Sequence, residues 1–315
     1  MRATTRSEEY RGLALAVSSS AAFALSGPFA RALIDTGWTP LSAVTVRTWG
    51  AFVVLLVPAL IVLRGRWRLL REHAPMIAGF AVLGVAGAQL AYFNAVARMP
   101  VAVALLIEYM APLAILAWLW AVQGQRPTRL TAAGAALSIA GLTAVLGVLG
   151  GVTVSSAGVL WASAAMVGAA GYFLIAAHDS SGLPPLVLAT TGLGLGAFVL
   201  TSAGVLGFQP VGAEFADAEI AGRVVPWWGP VAILIVVTSA FAYATGVTAA
   251  RILGARVMSF VALTEVLFAA IFSWLLLAQR LSVSQCLGGL LVIAGIAAVR
   301  AGEPDPAPRD PSLHP

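Results

Sequence analysis

Ten apolar runs, each close to the length of a membrane-spanning helix, divide this chain almost from end to end. A helix needs about 20 residues to cross a hydrocarbon core about 30 Å thick. Because 60% of the 315 residues are hydrophobic and only 10% are charged, no water-soluble fold could bury this much apolar surface. We therefore predict an all-α polytopic membrane protein. The predicted spans are 12–34, 41–63, 75–97, 101–122, 129–149, 157–178, 186–207, 227–249, 256–278 and 284–300.

The distribution of basic residues predicts how the chain is oriented. All 18 are arginines; with the N-terminus inside, thirteen fall in inner segments and four, Arg31, Arg98, Arg223 and Arg280, in outer loops. Positive residues concentrate on the cytoplasmic side of membrane proteins, so we expect both termini in the cytoplasm. The formal charge of +5 then reflects topology and does not indicate a nucleic-acid partner. The predicted tails are 1–11 and the proline-rich, disordered 301–315.

The second half of the chain repeats the first. An offset of 154 residues aligns 112–145 with 266–299, and eleven of these thirty-four positions are identical, including Trp120 with Trp274 and Gly134 with Gly288. The two units, 12–149 and 157–300, hold five predicted spans each. Because five is odd, the second unit should enter the membrane from the opposite side. The sequence predicts an inverted-topology repeat, an architecture of secondary transporters with a site near the midplane.

Two carboxylates lie inside these apolar runs, Glu108 in the fourth and Glu265 in the ninth. Charged side chains at membrane depth are expensive and mark functional sites. At 1.5 Å per residue, Glu108 should lie about 10 Å below the outer surface and Glu265 about 12–14 Å above the inner one. Burial disfavours the charged form of a carboxylate, so either group is a candidate to carry a proton.

Arg47 lies six residues into the second predicted span, near the predicted depth of Glu108. We expect an Arg47–Glu108 ion pair, with Arg47 otherwise able to hold a substrate carboxylate bidentately. The second half has Leu193 at the corresponding place, so Glu265 should lack an arginine partner. It is then the better candidate for proton coupling or for binding a substrate ammonium. The alternative is that the pair fixes helix packing and that Glu265 binds neighbouring hydroxyl groups.

Two segments resemble a known family. Tyr92-Phe93-Asn94-Ala95, continuing through Met99 to Leu113, and Ala242-Tyr243 with Leu263-Thr264-Glu265 resemble the drug/metabolite transporter superfamily. Within it, they are most similar to the EamA-type branch that includes threonine/homoserine exporters. The resemblance implies a ten-helix carrier of the bacterial inner membrane, often an exporter of amino acids, with a central cavity between the halves. The chain departs from the family pattern by having Gln125 and Gln279 in place of glutamates and Val266 in place of proline.

Polar and aromatic residues complete the candidate cavity. Tyr92, Asn94 and Tyr243 lie where the resemblance is strongest, and Ser26, Tyr109 and Tyr172 are further candidates for its lining. A few polar groups in an apolar pocket orient small ligands. Each residue taken alone also has an ordinary explanation as a contact between packed helices.

The leading functional hypothesis is a secondary transporter exporting amino acids or related amphipathic metabolites by alternating access, driven by protons or by the substrate gradient. A carrier for a nucleobase, sugar or drug-like cation is the main alternative. An intramembrane enzyme or a channel is less favoured, because the chain has no zinc-protease motif and an internal repeat favours rocking. We expect no cofactor and no metal, since Cys286 is the only cysteine. The expected partners are the small-molecule substrate, protons and membrane lipid, and the sequence leaves the oligomeric state open.

Overall fold

The computed structural model describes residues 6–96, 98–99, 101–146, 155–178, 182–277 and 282–302. Several predicted features lie outside these residues. They are the end of the fifth span (147–149), the end of the ninth span (278), Gln279, Arg280 and the part of the predicted disordered tail that begins at 303. The helices are α1 Arg6–Ala24, α2 Ser26–Asp35, α3 Pro40–Leu63, α4 Arg68–Glu72, α5 Ala74–Gly79, α6 Ala88–Val96, α7 Val101–Glu108, α8 Ala111–Gln123, α9 Arg129–Leu146, α10 Ser156–Ala177, α11 Pro185–Val205, α12 Trp228–Ile235, α13 Ala242–Ala262, α14 Thr264–Leu277 and α15 Val283–Ala301.

Nine helical stretches within the described ranges are long and apolar enough to cross a membrane, as expected of a multi-pass membrane protein. They correspond to the first eight predicted spans and the tenth. The ninth begins at Ala255, after Gly254 leaves the helical conformation with φ of 79°, and continues into α14, whose described part has 14 residues. A total of ten spans therefore stays a prediction. Helix α1 begins at Arg6, so part of the predicted N-terminal tail is helical.

Local sequence explains several helix ends. Thr39 precedes Pro40 and its side chain accepts a hydrogen bond from the Ser42 amide, which caps the start of α3. Ser282 and Gln285 form a reciprocal capping box at the start of α15. At the other end of a helix, Gly124 adopts φ of 67° and terminates α8.

Several spans are interrupted, and the interruptions recur in the two halves. The fourth span breaks at Tyr109 and Met110, between α7 and α8, and the ninth breaks at Leu263, between α13 and α14. The 154-residue offset places Tyr109 on Leu263. The third span contains the π-helical segment Phe80–Gly87, and the eighth contains Val236–Phe241. The two segments overlap when the first is shifted by the 154-residue offset. π-helical turns inside α-helices often accompany functional sites, so these two spans are natural places to look for one.

Helices α9 and α15 pack closely through glycines. A methyl group on Gly134 would lie 2.7 Å from the Gly295 carbonyl oxygen, and one on Gly141 would lie 2.5 Å from that of Gly288. As the residue number increases along α9, from Gly134 to Gly141, the number of the contacted glycine on α15 decreases, from Gly295 to Gly288. The two helices are therefore antiparallel. Under the 154-residue offset Gly134 corresponds to Gly288 and Gly141 to Gly295. Each helix therefore uses the same pair of positions to contact the other.

Other large contacts also join one half to the other. Helix α1 packs on α13, α3 on α11, and α6 on α10. The main core is drawn from both halves and includes Phe80, Val85, Leu188, Leu193 and Val247. Because the halves share their core, the interior where their helices meet is the place where residues from both can face one ligand.

The predicted outer loop between the seventh and eighth spans contains a small β-hairpin. Strand β1, Ala218–Ile220, pairs antiparallel with β2, Arg223–Val225. The two-residue turn has positive φ at Ala221 and Gly222, 54° and 72°, the signs that a tight hairpin turn with matching twist requires. The loop is also attached to the first half, since Trp38 Nε1 donates to the Glu214 carbonyl oxygen at 2.7 Å.

Candidate functional site

Both membrane carboxylates lie beside a helix break. Glu108 is the last residue of α7, and Glu265 lies in the first turn of α14. The amide dipoles of a helix stabilise negative charge at its N-terminus and not at its C-terminus. Each carboxylate is within electrostatic reach of the other. The two breaks thus bring Glu108 and Glu265 to one interior region, in different backbone surroundings.

Arg47 supplies positive charge to this region. Its side chain, on α3, is only 8% exposed. One guanidinium nitrogen, Nη1, donates to the Ser26 hydroxyl, while Nε is buried without a hydrogen-bond partner among the described residues. A guanidinium presents five N–H donors, so this arrangement leaves donor capacity beside the carboxylates.

The expected Arg47–Glu108 ion pair is wrong. Among the described residues, no ion pair joins these two side chains, and the acidic residue whose charge acts on Arg47 is Glu265. Within the same ranges, Arg47 and Glu265 do not form a direct ion pair either. The reason is that residue count predicts the depth of a side chain, whereas the direction in which it points depends on how each helix is rotated in the packing. Glu265 consequently has an arginine neighbour that the sequence did not indicate.

Tyrosines surround the two carboxylates. Tyr109, at the break of the fourth span, shares a side-chain hydrogen bond with Glu265. Tyr92 lies within electrostatic reach of both Glu108 and Glu265. Tyr243 lies near Arg47 and shares a side-chain hydrogen bond with Gln89. The region therefore combines groups from both halves, as the predicted cavity between them requires.

An aromatic cluster borders this region. The Tyr172 ring packs edge-on against Tyr243 at 5.8 Å between centroids, and Phe23 also packs edge-on against Tyr243, at 5.2 Å. Phe80, in the π-helical segment, lies 5.3 Å from Tyr172. The Tyr172 hydroxyl is buried and has no hydrogen-bond partner in the part of the chain that the structure describes, so it retains donor and acceptor capacity.

Ser26 connects Arg47 to the eighth span. Its hydroxyl donates to Thr238 Oγ1 at 3.3 Å, and Thr238 in turn donates to the Leu234 carbonyl oxygen at 3.0 Å. Thr238 lies in the π-helical segment of that span, and Ser26 begins α2 after the interruption at Leu25. The irregular parts of two spans are thereby joined next to the guanidinium.

Of the nine residues predicted for the site, the structure brings eight into one neighbourhood and leaves Asn94 apart from it. The Asn94 side chain donates to the Leu90 carbonyl oxygen at 2.9 Å and accepts from Arg98 at 3.1 Å. It stabilises the C-terminal end of its own helix and has no described contact with the carboxylates. The neighbourhood holds Glu108, Glu265, Arg47, Tyr92, Tyr243, Ser26, Tyr109 and Tyr172.

The sequence hypothesis missed three residues of this neighbourhood, Gln89, Phe23 and Thr238. Gln89 had a usable signal, because an amide inside an apolar span needs a hydrogen-bond partner. Phe23 and Thr238 had none, since phenylalanine and threonine are ordinary in membrane helices. Within the described ranges, no three His, Cys, Asp or Glu side chains are grouped to hold a metal ion.

The arrangement has a definite chemical character. It holds one buried guanidinium and two carboxylates, and Glu265 and Arg47 influence each other although no ion pair joins them among the described residues. Unpaired charges in a low-dielectric interior are costly unless a ligand or neighbouring dipoles compensate them. A small molecule with both an anionic and a cationic group could compensate both at once.

Comparisons with known proteins agree with this architecture. The sequence profile described as "EamA-like transporter family" matches residues 10–147 and again residues 156–301. A solved structure titled "Crystal structure of protein" has the same fold, with a TM-score of 0.70 and 21% identity over 95% of this chain and 99% of that chain. No curated protein matches the sequence.

Proposed function

The chain belongs to the EamA-like transporter family, and from that membership we propose that it exports small zwitterionic metabolites, amino acids or close relatives, by alternating access. As a family member it is a multi-pass membrane transporter and not an enzyme. The finer parts of the proposal are the class of substrate, the direction of transport and the coupling to protons. Each is supported by a separate feature of the chain.

The observation that carries the proposed substrate class is the Arg47–Glu265 arrangement. Arg47 is buried and its Nε is unsatisfied within the described ranges, and guanidinium binds carboxylate well because it can donate two parallel hydrogen bonds. Glu265 lies in the same electrostatic neighbourhood, with no ion pair to Arg47 among the residues described. A zwitterion would place its carboxylate on Arg47 and its ammonium on Glu265, and so neutralise both charges.

The surroundings of Glu265 suit a carboxylate that changes its charge during transport. Burial of the Glu265 side chain disfavours the ionised form, whereas the N-terminus of α14 and the hydrogen bond from Tyr109 favour it. In the absence of a cationic ligand, a proton can take the place of the ammonium. Binding of a proton and of substrate at Glu265 would then compete, which is how proton-driven export would be coupled.

The packing of α9 on α15 supports alternating access between two inverted units. The Gly134–Gly295 and Gly141–Gly288 contacts are exchanged by the 154-residue offset across an antiparallel pair, which is the pattern of a twofold axis perpendicular to the helices. For membrane-spanning helices such an axis lies in the membrane plane. Inverted units of this kind can exchange conformations, so that the site faces each side in turn.

The proposed location is the bacterial inner membrane, with both termini in the cytoplasm. The support is the excess of arginines in the segments 64–71, 126–129 and 251–256 over the outer loops. Export is then movement of substrate from the side of these segments to the side of the β-hairpin.

Counterflow in proteoliposomes tests the proposal. Vesicles loaded with an unlabelled amino acid should accumulate the labelled compound, and threonine, homoserine and phenylalanine form the first series. Two analogues serve as controls: the methyl ester lacks the carboxylate, and the N-acetyl derivative lacks the ammonium. Neither should be exchanged if both charges are recognised. Absence of counterflow for every zwitterion would reject the proposed substrate class.

A drug-like cation is the second candidate, and one observation favours it. Two carboxylates share a neighbourhood with Arg47, and the rings of Tyr172, Tyr243 and Phe23 lie beside them. Aromatic faces attract organic cations. Exchange of the methyl ester or of an aromatic amine, without exchange of the free amino acid, would select this candidate.

A further inference from the structure

The inner ends of the fourth and ninth spans are joined by a hydrogen bond between side chains. Arg256 Nη2 donates to Gln125 Oε1 at 3.1 Å. Gln125 lies two residues after the end of α8, and Arg256 lies in the first turn after the irregular Gly254. We call this contact the Gln125–Arg256 latch. It links the first half to the second on the side that the arginine distribution assigns to the cytoplasm.

The Gln125 side chain is held in position for this contact. Its backbone amide donates to the Leu119 carbonyl oxygen at 3.1 Å, which closes the end of α8 together with the left-handed Gly124. Its side-chain amide nitrogen donates to Gln123 Oε1 at 2.9 Å. The Gln125 side-chain oxygen is therefore turned toward Arg256.

Arg256 is unusual among arginines near a membrane surface because its side chain is only 7% exposed. It is covered where α8 and α10 meet the start of the ninth span. An apolar cluster fills this meeting point and includes Ala111, Ile115, Leu119, Ala170 and Ala255. Separation of the fourth and ninth spans on this side would have to break the latch and expose the cluster.

The position equivalent to Arg256 on the opposite side holds no arginine. Under the 154-residue offset, Ala102 corresponds to Arg256, and alanine has no side-chain donor. The two halves therefore differ in chemistry at equivalent points. Two alternating conformations of an inverted repeat would otherwise use equivalent contacts in turn, so a contact available on one side only favours the conformation that contains it.

We propose that Gln125 and Arg256 are positioning residues that keep the cytoplasmic side closed and set the resting conformation of the transporter. This rests on the alternating access of the proposed function. The latch lies away from the proposed substrate site. It changes the populations of the two conformations and hence the rate at which the inner side opens.

Labelling of a single cysteine tests the latch. In a C286S background, Leu119→Cys places a thiol in the apolar cluster, and its reaction with a maleimide reports opening toward the cytoplasm. In inside-out vesicles, Arg256→Gln and Gln125→Ala should each raise the labelling rate about three- to tenfold, the effect of losing one partly exposed hydrogen bond. Their combination should raise it no further than the larger single effect.

Two further variants make the test independent of folding defects. Gln125→Glu would give Arg256 a charged partner and should slow labelling, a direction that damage to the fold cannot produce. Arg129→Gln removes an exposed arginine on the same side and should leave the rate unchanged. Equal rates in the Arg256→Gln, Gln125→Glu and Arg129→Gln proteins would overturn the latch. Failure of the proposed function would instead appear as absent counterflow in the unmodified protein.

Discussion

The two halves of this transporter are most alike where α9 packs on α15 and least alike around the membrane carboxylates. At the helix contact, Gly134 meets Gly295 and Gly141 meets Gly288, and the 154-residue offset turns each contact into the other. At the candidate site, Glu265 has Arg47 and Tyr109 as neighbours, whereas the charge that acts on Glu108 is that of Glu265 itself. The two halves therefore have similar residues where α9 packs on α15 and different residues at the candidate ligand site.

The largest expected effect comes from neutralising one carboxylate at a time. Glu265→Gln should lower counterflow about a hundredfold and abolish flux driven by a pH gradient, because a buried charge interaction worth about 2–5 kcal/mol is lost. Glu108→Gln should lower counterflow much less. The measurement is initial counterflow in proteoliposomes, with thermal unfolding in detergent as the control for folding. Equal losses in the two variants would remove the functional difference between the carboxylates.

A double-mutant cycle tests which of the two carboxylates, Glu108 or Glu265, interacts with Arg47. Arg47→Gln and Glu265→Gln should be non-additive by about 2 kcal/mol in unfolding free energy, since residues that share a charge interaction couple. Arg47→Gln and Glu108→Gln should add within about 0.5 kcal/mol. The same purified proteins supply both cycles in chemical denaturation. Stronger coupling to Glu108 would restore the pairing that depth along the helices had predicted.

The smallest expected effect concerns the glycine contact between α9 and α15, where the two halves are most alike. Gly134→Ala and its equivalent Gly288→Ala each place a methyl group 2.7 Å from a backbone oxygen, that of Gly295 and that of Gly141 respectively. Each should destabilise the protein by about 1–2 kcal/mol through overpacking. Gly229→Ala is the matched control, because its added methyl group would have no atom of the described chain within 4 Å. Very different losses at Gly134 and Gly288 would show that the contact is less symmetric in energy than in geometry.

The sequence predicted the membrane helices and the internal repeat, but it predicted less well which side chains face one another. Apolar runs near 20 residues predicted the membrane helices, and the identity of Gly134 with Gly288 predicted a repeat before any contact was known. Glu108 and Glu265 were recognised because charge is rare at membrane depth. Their positions along the helices were accessible to counting at 1.5 Å per residue.

Rotation and irregular geometry were not accessible in the same way. Arg47 was paired with the wrong carboxylate because one residue turns a helix by about 100°, and packing decides the final rotation. The break at Leu263 follows no proline, and the π-helical segment at Phe80 contains only common apolar residues and glycine. Such features arise from contacts between helices, so they emerge only when the whole bundle is assembled.

The glycine contact between α9 and α15 bears on the origin of the fold. Each helix presents the same two positions to the other, so a single half carries both surfaces of the joint. A protein of half this length could build the same joint from two identical copies inserted in opposite directions. Duplication and fusion of such a half would give a chain with this joint, in which the two copies are free to diverge. In a fused chain, an arginine such as Arg47 does not have to appear in both halves, and Leu193 stands at the corresponding place in the second.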